Sequence, residues 1–324
     1  MNDEGCEQSM TSMHAMFPPR APVVREAEVF SRLPDRFRRE TVSDWGQINR
    51  PGHQVDSFLE GPVFDRAGNL YVCDIPHGRI FRIAPHGEWT LVAQYDGEPN
   101  GLKFHDDDHL IAADYRRGLV RIDVRDGSVT PHLSRRHSES FKGLNDLIFD
   151  HAGNLYFTDQ GQSGMHDPAG RLYRLSRDGR LDVLVDGIPS PNGVCLSPDE
   201  RVLYLAVTRA NAIWRVPLHA DGGVSKVGVF FTSYGPAGPD GLAMTADGLL
   251  LAANPGLGHV WVLNARAEPV MVLRSPSGTS VTNIAFGGEG RRTVYCTESS
   301  TGTVLCATID QPGLRLAQAG DAQP

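Results

Sequence analysis

The sequence predicts an all-β protein: a six-bladed β-propeller with four antiparallel strands per blade and a metal site in its central channel. The first observation behind this is a repeat. Six times a polar residue opens an apolar strand: Glu60, Asn100, Asn145, Asn192, Asp240 and Asn283, at spacings of 40, 45, 47, 48 and 43. Units of this length holding several short strands mark a radial β-array. The second is the order within a unit. In the first, PVFD, the turn RAGN, LYVCDI, the reversal PHG, RIFRIAP and EWTLVAQY read as four short strands joined by tight turns. The third unit repeats it as LIFD, HAGN, LYFTD, RLYRLSRDG and LDVLVDG, the fifth as LAMT, ADG, LLLAAN, HVWVLN and PVMVLRS. The third is negative: no run of ten or more residues has helical periodicity.

Taken in order, residues 1–25 are polar and aperiodic and are expected to be a flexible tail. AEVFSRL (27–33) alternates like a strand, and residues 34–58 read as a connector to the first blade. The propeller is expected to span 26–318, with blades starting near 60, 100, 145, 192, 240 and 283, and a short tail at 319–324. The sixth unit has three clear strands, ending at VLCATID (304–310). Its fourth is either the N-terminal AEVFSRL, which would close the ring and remove two sheet edges, or GLRLAQ (313–318).

The chain has 324 residues and a net charge of −8, which argues against nucleic acid as a partner. Asp35, Glu40 and Asp44 flank the basic run Arg36, Arg38 and Arg39. Five cysteines without a Cys-x-x-Cys spacing read as free thiols in a reducing compartment. No apolar run reaches membrane-spanning length and the first residues show no signal peptide, so a cytoplasmic protein is expected. His105 and His109 form a His-x-x-x-His, but across a turn rather than on one helix face, and read as solvated. Oligomeric state is left open.

If every head residue starts an innermost strand, two carboxylates and four carboxamides face one axis. Each Asn alone is as readily a turn residue. Glu60 and Asp240 together are not, because two carboxylates in a confined channel repel and are costly to desolvate without a cation or a proton. An oxygen-only set favours calcium or magnesium over zinc or copper, and the looser geometry of calcium suits a cage drawn from separate blades. One divalent cation is expected, calcium first, with magnesium, manganese and zinc as alternatives.

The stretches LEGPVFDRAGNLYVCDIPHGRIFRI, GLNDLIFDHAGNLYFTD, HDPAGRLYRL, PNGVCLSPDERVLYLAVTRANAIWRVPL, GPDGLAMTADGLLLAANPGLGHVWVL and TNIAFGG run from residue 59 to 288. In this order they resemble the SMP-30/gluconolactonase/LRE (regucalcin-like) family, which is related to the diisopropyl-fluorophosphatase and paraoxonase propellers. The resemblance implies metal ligands at Glu60 of EGP, Asn145 of ND, Asn192 of PNG and Asp240 of PDG. In the phosphatase branch a second ion uses a His two places after the TN asparagine; here that place is Ala285, which argues against a second ion there. Sugar-lactone members carry an Arg two places before ND; here that place is Gly143, beside Lys142, which argues against the sugar lactone itself but not against the lactonase class.

The expected reaction is metal-assisted opening of a small, sugar-derived or other lactone to its hydroxy acid. Asp240 is the expected base, with Glu60 the other catalytic carboxylate. Substrate contacts are expected from Asn100, Asn145, Gln160, Arg116, Arg209, His259 and Asn283, with His77, Tyr115 and Gln162 on the same face. Arg116 or Arg209 could hold a substrate carboxylate. The loop TDQGQSGMHDPAG (158–170) reads as a lid or pocket wall. Asp74, Asp114 and Asp159, each 14 residues after a head, read as structural because they recur from blade to blade. The alternatives are a metal-dependent arylesterase or phosphotriesterase of the same architecture, or a non-catalytic binding propeller.

Overall fold

A computed structural model describes residues 21–40 and 42–321. Six four-stranded antiparallel blades surround one axis, one of them extended by a fifth, parallel strand. Their inner strands are Leu59–Phe64, Pro99–Asp106, Leu144–Phe149, Pro191–Leu196, Leu242–Met244 and Val281–Gly287, and each touches the next around the ring. Glu60, Asn100, Asn145, Asn192 and Asn283 lie in the first half of an inner strand, and Asp240 lies two residues before one.

The apolar runs form blades because both faces of each sheet are covered. Side chains alternate across a strand, so each blade offers one apolar face to each neighbour. Six hydrophobic clusters result, one per blade interface. Val63, Tyr71 and Cys73 of the first blade pack on Leu102, Phe104 and Leu110 of the second, for example.

The N-terminal segment closes the ring. Glu28–Arg32 pairs antiparallel with Thr303–Thr308, with Glu28 opposite Cys306 and Arg32 opposite Thr303. The competing segment 313–318 is not a strand in a blade. It crosses the far end of the channel: Gly313 bridges Thr245, the Leu314 N–H donates to the Met244 carbonyl, and Ala317 is buried against the second and third blades. The tail boundary also needs correction. Val23–Glu26 is a strand running parallel to Pro269–Arg274 of the fifth blade, and Ala319–Asp321 forms a turn packed on the second. The rest of the expected tails, residues 1–20 and 322–324, lies outside the described residues.

The connector carries a feature the pattern did not reveal: a short helix, Asp44–Asn49, whose first turn is capped by the Ser43 hydroxyl accepting from the Gly46 N–H. Trp45 packs on Phe58 and Ile75, which seats the helix on the face where the inner strands begin. Cys73, Cys195 and Cys296 are buried free thiols. Burial pushes Cys195 and Cys296 up to about 12, which leaves them unreactive. Among the described residues no helix is long and apolar enough to cross a membrane.

Candidate functional site

The channel mouth is built from a repeated dipeptide. In four blades the head residue precedes glycine: Glu60-Gly61, Asn100-Gly101, Asn192-Gly193 and Asp240-Gly241. A Cβ on Gly61 would sit 2.1 Å from the Asn100 carbonyl oxygen, on Gly193 2.3 Å from that of Asp240, and on Gly241 2.2 Å from Asn283 Oδ1. Glycine is required because adjacent inner strands converge there. The third blade breaks the rule with Asp146 in the glycine slot.

The side chains of the heads meet neighbours from other strands or loops. Glu60 Oε2 accepts from the Gly61 N–H and from Asn283 Nδ2, both at 2.8 Å. Asn145 Nδ2 donates to Gln160 Oε1 at 3.1 Å. The Asn192 carboxamide lies near the Asp240 carboxylate and favours its charged form. The amide oxygens of Asn145 and Asn192 have no hydrogen-bond partner among the described residues, and Thr282 stands beside the Glu60 carboxylate as a further donor. Asn283 is spent differently: its nitrogen holds Glu60 and its oxygen accepts from the Ile284 N–H at 2.8 Å, so it positions a carboxylate rather than offering a ligand. Asn100 is half-buried and its carboxamide makes no bond with the described residues.

Burial dominates the electrostatics. Glu60 is 3% exposed, and desolvation, aided by the Asp146 charge, raises its carboxyl to about 7. Asp240 is pushed well above the usual carboxylate range, by burial first and then by Glu60 and Asp146. Asn192 and the nearby charge of Arg50 oppose this. Arg50 stacks on Phe58 beneath the connector helix. Asp146 is the third carboxylate of the channel. It accepts from the Leu147 N–H at 2.9 Å and the Val194 N–H at 3.3 Å, and the Lys103 ammonium stands 3.8 Å away. Sequence reasoning passed over both Asp146 and Lys103; the break in the head-glycine pattern was the signal. It also missed Glu98, which burial raises to about 7 and which lines a cavity of about 290 Å³ with His77, Asp44 and Arg116.

Among the described residues no cluster groups three or more His, Cys, Asp or Glu side chains for a metal. A cage here depends on asparagine oxygens. His105 and His109 form no pair: His109 Nδ1 bonds Asp106 at 2.7 Å, and His105 lies against His132 and Phe149.

The substrate candidates divide. Gln160 bridges Asn145 to Ser190 and lines a cavity of about 500 Å³ with Asn49, Gln162, Ser163, His166, Ser190 and Arg209. The 158–170 loop forms one wall of it, and Gln162 donates to the Tyr115 hydroxyl at 2.7 Å. Arg116 lies outside this cavity, paired with Asp96 at 2.8 Å. His77 bonds the Asp56 carbonyl. His259 starts the third strand of the fifth blade and packs edge-on against Trp261, away from the inner strands. The recurring acids brace the loops that lead into the inner strands. Asp74 accepts from the Phe58 N–H and Arg79, Asp114 from the Glu98 N–H and the Tyr95 hydroxyl, and Asp159 from the Lys142 and Gly143 N–H groups.

A family model described as the SMP-30/gluconolactonase/LRE-like region matches residues 58–300. The lactonase drp35 of Staphylococcus aureus is 30% identical over 262 residues, covering 77% of this chain and 76% of its own. A crystal structure assigned as a gluconolactonase aligns with a TM-score of 0.72 and 27% identity, over 92% of this chain and 96% of its own. The calcium-binding protein regucalcin of Agrobacterium tumefaciens aligns with a TM-score of 0.74 and 23% identity, over 92% and 99%.

Proposed function

Because the chain belongs to the SMP-30/gluconolactonase/LRE-like family, we propose that it is a divalent-metal-dependent lactonase that hydrolyses a small lactone to the hydroxy acid. The observation that carries the reading is the orientation of the heads. The nitrogen of Asn145 is engaged by Gln160, Asn192 lies near the Asp240 carboxylate, and one Glu60 oxygen is held by Asn283. What remains is a set of oxygens and two carboxylates whose proton affinities are raised by burial first and by neighbouring carboxylates second. That donor set fits a hard dication, calcium first. Glu60, Asn145, Asn192 and Asp240 would hold it. A bound dication would polarise the lactone carbonyl and stabilise the charge that develops on its oxygen.

The remaining work falls to the chain's own side chains. Asp240 takes a proton from water as the water oxygen bonds to the carbonyl carbon. The acyl carbon to ring oxygen bond then breaks, and the ring oxygen receives the proton to become the hydroxyl of the product. Asn100, whose carboxamide is unengaged, is the available N–H donor for the substrate oxygens. Glu60 and its partner Asn283 fix the cage. Gln160 locks Asn145 and forms the floor of the mouth cavity.

The test is lactone hydrolysis by chelator-treated protein with calcium, magnesium, manganese or zinc restored singly, alongside Asp240→Asn. Metal-restored turnover that disappears in the variant is expected. No metal binding by calorimetry and no turnover of any lactone or ester would overturn the reading.

A further inference from the structure

We propose that the substrate carries an anionic group, a carboxylate held by Arg209. This rests on the lactonase reading and names the substrate class within it. Arg209 sits in the turn Thr208–Ala210, after the second strand of the fourth blade. That turn is fastened on both sides to the loops that present site residues. The Thr208 N–H donates to the Ser190 carbonyl, two residues before Asn192, and the Thr208 hydroxyl donates to the Pro239 carbonyl at 2.7 Å, next to Asp240. The turn that carries Arg209 is thus anchored beside the loops of Asn192 and Asp240, and Arg209 itself is exposed.

Arg209 has no carboxylate or carbonyl partner in the described structure. Other arginines of this face are engaged: Arg116 and Arg117 by Asp96, Arg39 by Gln94, and Arg50 by the Phe58 ring. Among the described residues the cavity Arg209 lines contains no Asp or Glu, and its one other ionisable side chain is His166. Its remaining walls are amides, hydroxyls and backbone from Asn49, Gln160, Ser163 and Ser190, with Met165 the one apolar side chain. Ser163 donates to the Gln160 carbonyl and accepts from the Ser190 N–H, so these walls are fixed before a ligand arrives. A volume of about 500 Å³ suits a small molecule. An unpaired guanidinium in a polar cavity without acids recognises a carboxylate through charge-assisted, bidentate bonds. The channel below is lined by carboxylates. An acidic lactone therefore binds in one orientation, with its charge at Arg209 and its carbonyl toward Asn145 and Asp240. Hydrolysis then yields a hydroxy dicarboxylate.

The experiment pairs γ-butyrolactone bearing a carboxylate on the ring carbon beside the ring oxygen with its neutral carboxamide. Turnover of both is measured in metal-loaded protein. Pyroglutamate and its neutral amide, lactams that resist opening, serve as binding probes by calorimetry. The wild type is expected to prefer the carboxylate roughly 10- to 100-fold in kcat/KM and in affinity, as charged hydrogen bonds do. In Arg209→Met both ratios should fall toward one, and Arg209→Lys should retain part of the preference. Added salt should reduce the wild-type ratio. Equal handling of acid and amide by the wild type, ratios unchanged in Arg209→Met, or no binding of either probe would overturn the proposal. Hydrolysis of the neutral lactone without an acid preference would remove this inference and leave the lactonase reading intact. An Arg209-dependent preference for pyroglutamate without turnover of any lactone would do the reverse.

Discussion

Lys103→Met should destabilise the protein far more in the absence of a divalent cation than in its presence. Lys103 is buried at its head, with 14% of its side chain exposed, and its ammonium stands 3.8 Å from Asp146 Oδ1, beyond hydrogen-bond range. Asp146 in turn raises the proton affinity of Glu60 and Asp240. A pair at that separation is worth about 4 kcal/mol at an effective dielectric of 20. Breaking a buried pair costs roughly 3–5 kcal/mol because the surviving charge has lost its partner. Without a direct hydrogen bond the lower end applies, so about 3 kcal/mol of stability should be lost in chelator. Adding calcium should recover most of it, because a cage with one less positive charge nearby attracts a dication more strongly. The variant should bind calcium roughly a hundredfold tighter, which is ~2.7 kcal/mol. Urea midpoints in chelator and in calcium, with calorimetric calcium titration, read both effects. Asp146→Asn in the same chain should cancel them, as expected of coupled neighbours. Equal midpoints in chelator with an unchanged calcium affinity would refute the placement of Lys103 as the counter-charge of the channel.

Other outcomes follow from the same geometry. Asp240→Asn should cut kcat by a factor of about 100 to 10,000, the usual range for loss of a positioned base, and should weaken calcium binding in calorimetry. Glu60 is raised from 4.5 to about 7 in the folded state, so the metal-free protein binds its proton more tightly than the unfolded chain does. That stability is fully present below pH 4.5 and is lost as pH rises through 7; the loss is roughly 3 kcal/mol, read as the difference in urea midpoint between wild type and Glu60→Gln, and saturating calcium should flatten it. Gly241→Ala would drive a Cβ to 2.2 Å from Asn283 Oδ1, so Asn283 must release Glu60; calcium affinity should fall at least about tenfold while the far-ultraviolet circular dichroism stays that of a β-propeller. Removing residues 1–33 deletes the closing strand of the sixth blade and exposes two sheet edges; thermal unfolding and light scattering should show a lowered midpoint and aggregation.

The number of blades and their strand order were legible in the sequence, since a four-strand unit cannot bury its faces alone and so must repeat. Five of the six heads fell inside inner strands and Asp240 just before one, because the signal was a polar residue opening an apolar run. The closing strand was legible only as one of two options. Strand-like alternation is common to both termini, and which one pairs with Thr303–Thr308 depends on where the chain lies after the ring has formed. The helix Asp44–Asn49 escaped because six residues give too few turns for periodicity, and its stability comes from packing on Phe58 and Ile75.

The sequence by itself determined what recurs: the propeller, the ring of heads, and the residue types able to surround a cation. Tertiary structure alone decided which atom of each head is spent on a neighbour. Asn283 and Asn145 are both asparagines opening strands, yet the nitrogen of one holds Glu60 while that of the other donates to Gln160. It also decided that Arg116 is neutralised and Arg209 is not, and that Asp146 and Lys103 share the channel. The reason is physical. A repeat is written locally, in spacings along one chain. A hydrogen-bond partner or a counter-charge is set by residues brought together from different blades, 43 positions apart for Lys103 and Asp146 and 223 for Glu60 and Asn283.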